Sequence, residues 1–150
     1  MSFEVRLPSE TVILVGVQED YVELAPVLGQ LGYRLWQVET ETEAISLMRL
    51  HEIAVVVATS RVRCGDWRTL LASVGHCADP PLVVVATHQA DGFLLAEVLL
   101  AGGYDTLPLP FVPHSAAQVV RRGCQRWRRE REKRQAREVA EASLATETAA

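Results

Sequence analysis

Four short stretches, each following an apolar run, hold most of the side chains able to do chemistry: "QED" (18–20), "TSRVRCGD" (59–66), "THQAD" (87–91) and "PLPF" (108–111). Glu19, Asp20 and Asp66 are carboxylates that, if gathered, could hold a hard cation through oxygen ligands. Asp20 and Asp66 also stand where helices would begin, and capping a helix is the commoner use of such residues. Arg61 and Arg63 could pair with Glu19 or Asp20, or bind an anionic ligand with Thr87; solvated loop arginines are the plainer reading. Cys64 lies near the cations Arg61 and Arg63, which would lower its thiol pKa, if it is more than a bland loop cysteine. His76 and Cys77 are adjacent, but no second His/Cys pair lies at metal spacing. His51, His88 and His114 are isolated, and there is no GxGxxG and no P-loop. Neither a catalytic set nor a metal or cofactor site is assembled, so the expectation is a protein that is not an enzyme.

These stretches acquire meaning from the elements that carry them. "TVILVGV" (11–17), "YRLWQV" (33–38), "IAVVVA" (53–58) and "PLVVVAT" (81–87) read as strands, the first as a continuous run covered on both faces. "YDTLPLPF" is a fifth, short strand broken by prolines. Between them lie helical segments. Leu24, Leu28 and Leu31 share a face that Gly32 closes, and Pro26 implies a late start or a kink. Ala44, Leu47 and Met48 form a stripe behind Thr40, with Glu43 placed for a capping box. "GDWRTLLASVG" and "DGFLLAEVLLAGG" follow, and a last helix starts near His114 or Ser115. Strands alternating with helices predict an α/β fold: a doubly wound, five-stranded parallel sheet with an extended C-terminal helix. In such a sheet the functional edge is the carboxyl end of the strands.

The 150 residues are 49% hydrophobic and 23% charged, enough for one domain with its own core. Three irregularly spaced cysteines argue against a disulfide framework. The N-terminus has no apolar stretch of a signal peptide, and no run approaches the roughly 18 apolar residues of a membrane span. The expected compartment is therefore the cytoplasm, without membrane contact. The net charge of −4 is unevenly spread: residues 121–137 hold nine of the 15 basic residues and two acids, leaving a strongly acidic body.

The order and spacing of these pieces resemble the response-regulator receiver (CheY-like) family over about residues 11–127. "LAGGYDTLPLPF" is similar to its "AGADDYLxKPF" segment, "GQLGYRLWQVETETEAISLM" to its segment from first to second helix, and "VVVATHQAD" to its fourth strand. In that family an acidic pair after strand 1 holds Mg²⁺ and an aspartate ending strand 3 takes a phosphoryl group. A hydroxyl and a lysine then neutralise the phosphoryl oxygens. Under the resemblance the acidic pair falls at Val17 and Gln18, with Glu19 and Asp20 displaced. The acceptor falls at Ala58, the hydroxyl at Thr87, the aromatic switch at Thr106 and the lysine at Leu109. The chain's only lysine is Lys133. The resemblance implies a degenerate pseudo-receiver whose pocket, with Ala58 and Leu109, is drier and smaller, and a cis bond before Pro110.

Two surfaces stand out. The fourth helix has one charge, Glu97, while Phe93, Leu94, Leu95, Val98, Leu99 and Leu100 cover more circumference than one buried stripe needs. With Tyr104 they mark an interface candidate. The face of fourth helix, fifth strand and last helix is also the family's partner surface, for a kinase, an output protein or a second copy. In the last helix, Val119, Val120, Gly123, Cys124 and Trp127 space as a core stripe. Past Trp127 the stripe stops, and a basic arm follows: Arg121, Arg122, Arg126, Arg128, Arg129, Arg131, Lys133, Arg134 and Arg137. It reads as a solvated helix extension, with nucleic acid or an acidic partner as the alternative. The expected division is a lead at 1–10, the receiver-like unit at 11–127 and a basic extension with a frayed tail at 128–150.

Overall fold

The computed structural model describes residues 10–59 and 67–148. Five strands alternate with five helices: β1 (Thr11–Val15), α1 (Gln18–Gln30), β2 (Arg34–Val38), α2 (Glu41–Leu50), β3 (Val55–Thr59), α3 (Trp67–Val74), β4 (Leu82–Thr87), α4 (Gly92–Leu100), β5 (Asp105–Pro108) and α5 (Pro113–Thr148). Every paired strand is parallel, in the order β2-β1-β3-β4-β5. This is the doubly wound sheet that the alternation predicts.

β1 and β3 are buried along their whole length, so alternate side chains feed two cores. Val12, Leu14, Val55 and Val57 pack with Leu24 and Leu28 of α1 and with Ala116, Val120, Cys124 and Trp127 of α5. Ile13, Val15, Val56 and Ala58 pack with Ala44 and Met48 of α2 and Leu70 and Val74 of α3.

Local signals explain the element ends. The Thr40 hydroxyl oxygen accepts from the Glu43 N–H at 3.2 Å and donates to the Glu43 carboxylate at 3.2 Å, a variant of the expected box. Gly32 at φ +82 and Gly102 at φ +97 take the left-handed turns that end α1 and α4. Pro26 does not delay α1, which starts at Gln18; it sits on the solvent face, where the Val22 carbonyl left without its donor is open to water.

Several boundaries differ from the sequence reading: β2, β3 and β4 begin at Arg34, Val55 and Leu82, one or two residues later than read, and α5 begins at Pro113. β1 stops at Val15, because Gly16 and Val17 form the turn into α1. β3 runs one residue past Ala58, to Thr59, since Thr59 pairs with Ala86. The tail expected to fray is helical to Thr148: "REVAEASLATET" is rich in alanine and glutamate, strong helix formers that extend a helix already nucleated upstream. Among the described residues no helix is long and apolar enough to cross a membrane.

Candidate functional site

At the carboxyl edge of the sheet, the described residues are the turns after β1, β4 and β5 and the last residue of β3. Gly16 leaves β1 beside Thr59, the last residue of β3. A Cβ added at Gly16 would stand 2.9 Å from Thr59 Oγ1 and 3.0 Å from Asp20 Oδ2. Position 16 therefore has no room for a side chain without movement. Asp20 enters this corner from the first turn of α1. It is buried, and its carboxylate accepts from the Val17 N–H at 3.3 Å, the returning half of a capping interaction. Gln18 and Glu19 are exposed to solvent. The Thr59 hydroxyl is buried and has no hydrogen-bond partner among the described residues.

Ala58 is not at this edge. Its side chain turns into the α2/α3 core beside Val15 and Leu70. The polar position that closes β3 is Thr59, which the sequence reading placed in the stretch after a strand ending at Ala58. Gly16 is masked in the sequence because it lies inside the apparent apolar run 11–17. Arg61, Arg63, Cys64 and Asp66 lie outside the described residues.

The rest of the edge comes from β4 and β5. Thr87 is half-buried; its hydroxyl accepts from the Gln89 N–H at 3.3 Å and its carbonyl accepts from the Leu109 N–H at 2.9 Å. Leu109 is buried with Leu24 and Phe111 in the α1/α5 core, and the Leu109–Pro110 bond is cis, as the resemblance implies. His88 Nδ1 lies 3.0 Å from the Leu109 carbonyl. Glu23 of α1 accepts from the Phe111 N–H at 3.3 Å, tying the β5–α5 turn to α1. Thr106 is half-buried on β5, next to Val85. Among the described residues no group of three His, Cys, Asp or Glu side chains could hold a metal ion.

The fourth helix fulfils the expectation of outward-facing apolar residues in part. Phe93 is 84% exposed, Leu100 89%, and Leu99 about half, whereas Leu94 and Leu95 are half-buried and Val98 is buried. Glu97 is paired with Arg68 of α3 at 2.7 Å, so the helix offers an apolar surface with its one charge engaged. Tyr104 is half-buried, beneath the Arg126 guanidinium at 5.6 Å from the ring centre.

The basic segment is divided. Arg128 donates to Glu10 at 2.7 Å through Nε and again through its terminal nitrogen. Arg131 meets Glu52 at 2.9 Å and Arg134 meets Asp79 at 2.7 Å. These acids precede β1, β3 and β4, neighbours in the sheet, and all parallel strands begin at the same edge. A helix rises about 4.5 Å in three residues, close to the spacing of about 4.8 Å between strands. One helix can thus meet three successive strand starts. Arg126 pairs with Glu130 at 3.1 Å, while Arg121, Arg122, Arg129, Lys133 and Arg137 are exposed. The expected free arm is therefore in part a clasp on the chain's own acidic body. The signal was present in Glu10, Glu52 and Asp79, each just ahead of an apolar run.

Burial, with Glu10 nearby, pushes the Cys124 thiol up to about 12; burial, Cys124 and Glu10 push the Tyr33 phenol up to about 12. Burial also raises the Cys77 thiol, with Arg49 opposing. His51, His76 and Cys77 line a cleft of about 550 Å³ at the amino edge, between the ends of α2 and α3.

Comparison with solved structures identifies the architecture. The signal receiver domain of a Luxo repressor protein from Vibrio parahaemolyticus is 20% identical, with a TM-score of 0.70 over 81% of this chain and 95% of that one. The signal receiver domain of an HD domain-containing protein from Pseudomonas fluorescens Pf-5 is 22% identical, at 0.71 over 83% and 92%. The beryllofluoride-activated NtrC4 receiver domain dimer is 16% identical, at 0.70 over 79% and 98%. No family model and no curated protein matches the chain. At these identities the likeness establishes the receiver (CheY-like) fold.

Proposed function

We propose that this chain is a receiver-like signalling module of a bacterial two-component-type pathway that works by protein contact without being phosphorylated. The fold, shared with receiver domains of response regulators, supports a signalling role. The carrying observation is the carboxyl edge: Gly16 and Val17 follow β1, Thr59 ends β3 with Ala58 turned into the core behind it, and Leu109 is turned into the core. Whether the acceptor place is read at Ala58 or at Thr59, no carboxylate stands there to form an acyl phosphate. The turn between β5 and α5 holds no lysine to neutralise one, since the only lysine is Lys133 in distal α5.

Partner contact falls to the α4–β5–α5 face, where Phe93, Leu99 and Leu100 present apolar surface to solvent. Residues 11–127 are the receiver-like unit, and the rest of α5 is an extension anchored as far as Arg134. A nucleic-acid role for the basic segment is weakened, because Arg128, Arg131 and Arg134 are already paired with carboxylates.

Acetyl phosphate with Mg²⁺, followed by intact-mass measurement, tests the reading. The expected result is no added phosphoryl group; a stoichiometric, alkali-labile phosphoryl adduct overturns it.

A further inference from the structure

The face of α5 turned away from the sheet carries a row of cations. At 3.6 residues per turn, Arg122, Arg126, Arg129, Lys133 and Arg137 fall within an arc of about 80°. The docked residues Val120, Cys124, Trp127, Arg131 and Arg134 centre about 140° away around the helix. The row is therefore separate from the clasp. All five of its cations are exposed, and they span about 22 Å of helix. Arg126 is engaged with Glu130 at 3.1 Å. Arg122, Arg129, Lys133 and Arg137 make no ion pair among the described residues. Glu130 and Glu132 bound the arc on its two sides, and Glu138 and Glu141 lie outside it.

We infer that this row docks an acidic helix of a partner protein, with carboxylates at the matching 4-3-4-4 spacing. Read backwards the row is 4-4-3-4, so a partner helix running in either direction comes close to register. A helix set in a duplex groove meets phosphates on both flanks, and the flanks of this arc are Glu130 and Glu132. A single nucleic-acid strand is held by stacking on aromatic rings, and the arc has none. A second copy does not supply the acids. Its helices α1 to α4 offer at most two exposed carboxylates each, and in α5 Arg134 and Arg137 interrupt the line from Glu130 to Glu141. Four exposed ion pairs are together worth roughly 15-fold in affinity, so the row chooses and orients a partner more than it holds one. The inference goes beyond the apolar face of α4, and it stands whether or not the carboxyl edge takes a phosphoryl group.

An amide-resolved NMR titration of the full chain at low ionic strength tests the docking. The probe is an alanine-based helical peptide with glutamates at i, i+4, i+7, i+11 and i+15. The control has the same composition, with its glutamates spread around the helix. The row peptide is expected to move the amides between Arg122 and Arg137 saturably, at roughly 1 mM or tighter, and roughly tenfold more tightly than the control. Arg122→Gln/Arg129→Gln/Lys133→Gln is expected to abolish the shifts, and Arg122→Lys/Arg129→Lys, which keeps the charge, to retain them. Equal binding of the two peptides overturns the matched row. Duplex DNA that moves the same amides at lower concentration than the row peptide overturns the acidic helix and assigns the row to nucleic acid. No saturable shift with either peptide or with DNA overturns the docking.

Discussion

Removing the Arg128 guanidinium leaves the Glu10 carboxylate in the wrong place to be charged. The Glu10 side chain is 5% exposed, and its Oε2 already lacks a hydrogen-bond partner among the described residues. Breaking a buried pair from one side costs about 3–5 kcal/mol, because the remaining charge keeps its desolvation penalty without its partner. Arg128 is itself about one-third exposed, so water can reach the vacated side, and the low end, about 3 kcal/mol, applies to Arg128→Met. Glu52 is 63% exposed, so Arg131→Met should cost about 0–1 kcal/mol. Urea unfolding at pH 7, with the slope unchanged, measures both. A loss of about 3 kcal/mol is a large share of the stability of a typical domain, and roughly 6–12 °C in Tm at this size. Glu10→Leu/Arg128→Met, which removes both charges, should recover most of the loss. If Arg128→Met and Arg131→Met cost the same, or Arg128→Met costs under about 1 kcal/mol, the clasp is wrong and the basic segment is a solvated extension.

Gly16→Ala should destabilise the fold by about 1–3 kcal/mol, because the new methyl meets Thr59 Oγ1 and Asp20 Oδ2 near 3 Å. Thr59→Ala in the same chain should relieve part of this in urea unfolding, and a neutral Gly16→Ala would show that the corner is looser than described. Stability should also fall in alkali. The folded chain keeps Cys124 and Tyr33 protonated toward pH 12, whereas the unfolded chain releases them from their ordinary 9.0 and 10.0. Their contribution is complete below about pH 9 and is lost as pH rises toward 12. At pH 10.5 Cys124 alone accounts for about 2 kcal/mol as an upper figure. Cys124→Ala should flatten the pH dependence between 9 and 10, and an unchanged slope would refute the assignment.

Much of this architecture is legible in the residues, and the exceptions have physical causes. Continuous Val/Ile runs identify buried parallel strands, and Thr40, Gly32 and Gly102 punctuate helices through interactions confined to a few residues. β3 is harder to end, because Thr59 is as good a strand residue as Val57 and only pairing with Ala86 decides it. The same one-residue shift moves Ala58 from the edge into the core, since side chains alternate faces along a strand. The clasp depends on Arg128, Arg131 and Arg134 meeting acids 55 to 118 residues away in sequence, which no local pattern encodes. The helical tail is obscured by its composition: small residues that read as disorder are here mostly alanines, the strongest helix formers.

The central claim is that the carboxyl edge no longer accepts a phosphoryl group. The most direct measurement is an amide-resolved NMR titration with Mg²⁺ and beryllofluoride, which stands in for an aspartyl phosphate. The amides of Gly16, Val17, Thr59, Thr87 and Leu109 are predicted to stay unmoved at saturating reagent. Saturable shifts at those amides would contradict the account and make a carboxylate at this edge, such as Asp20, the receiver of the group.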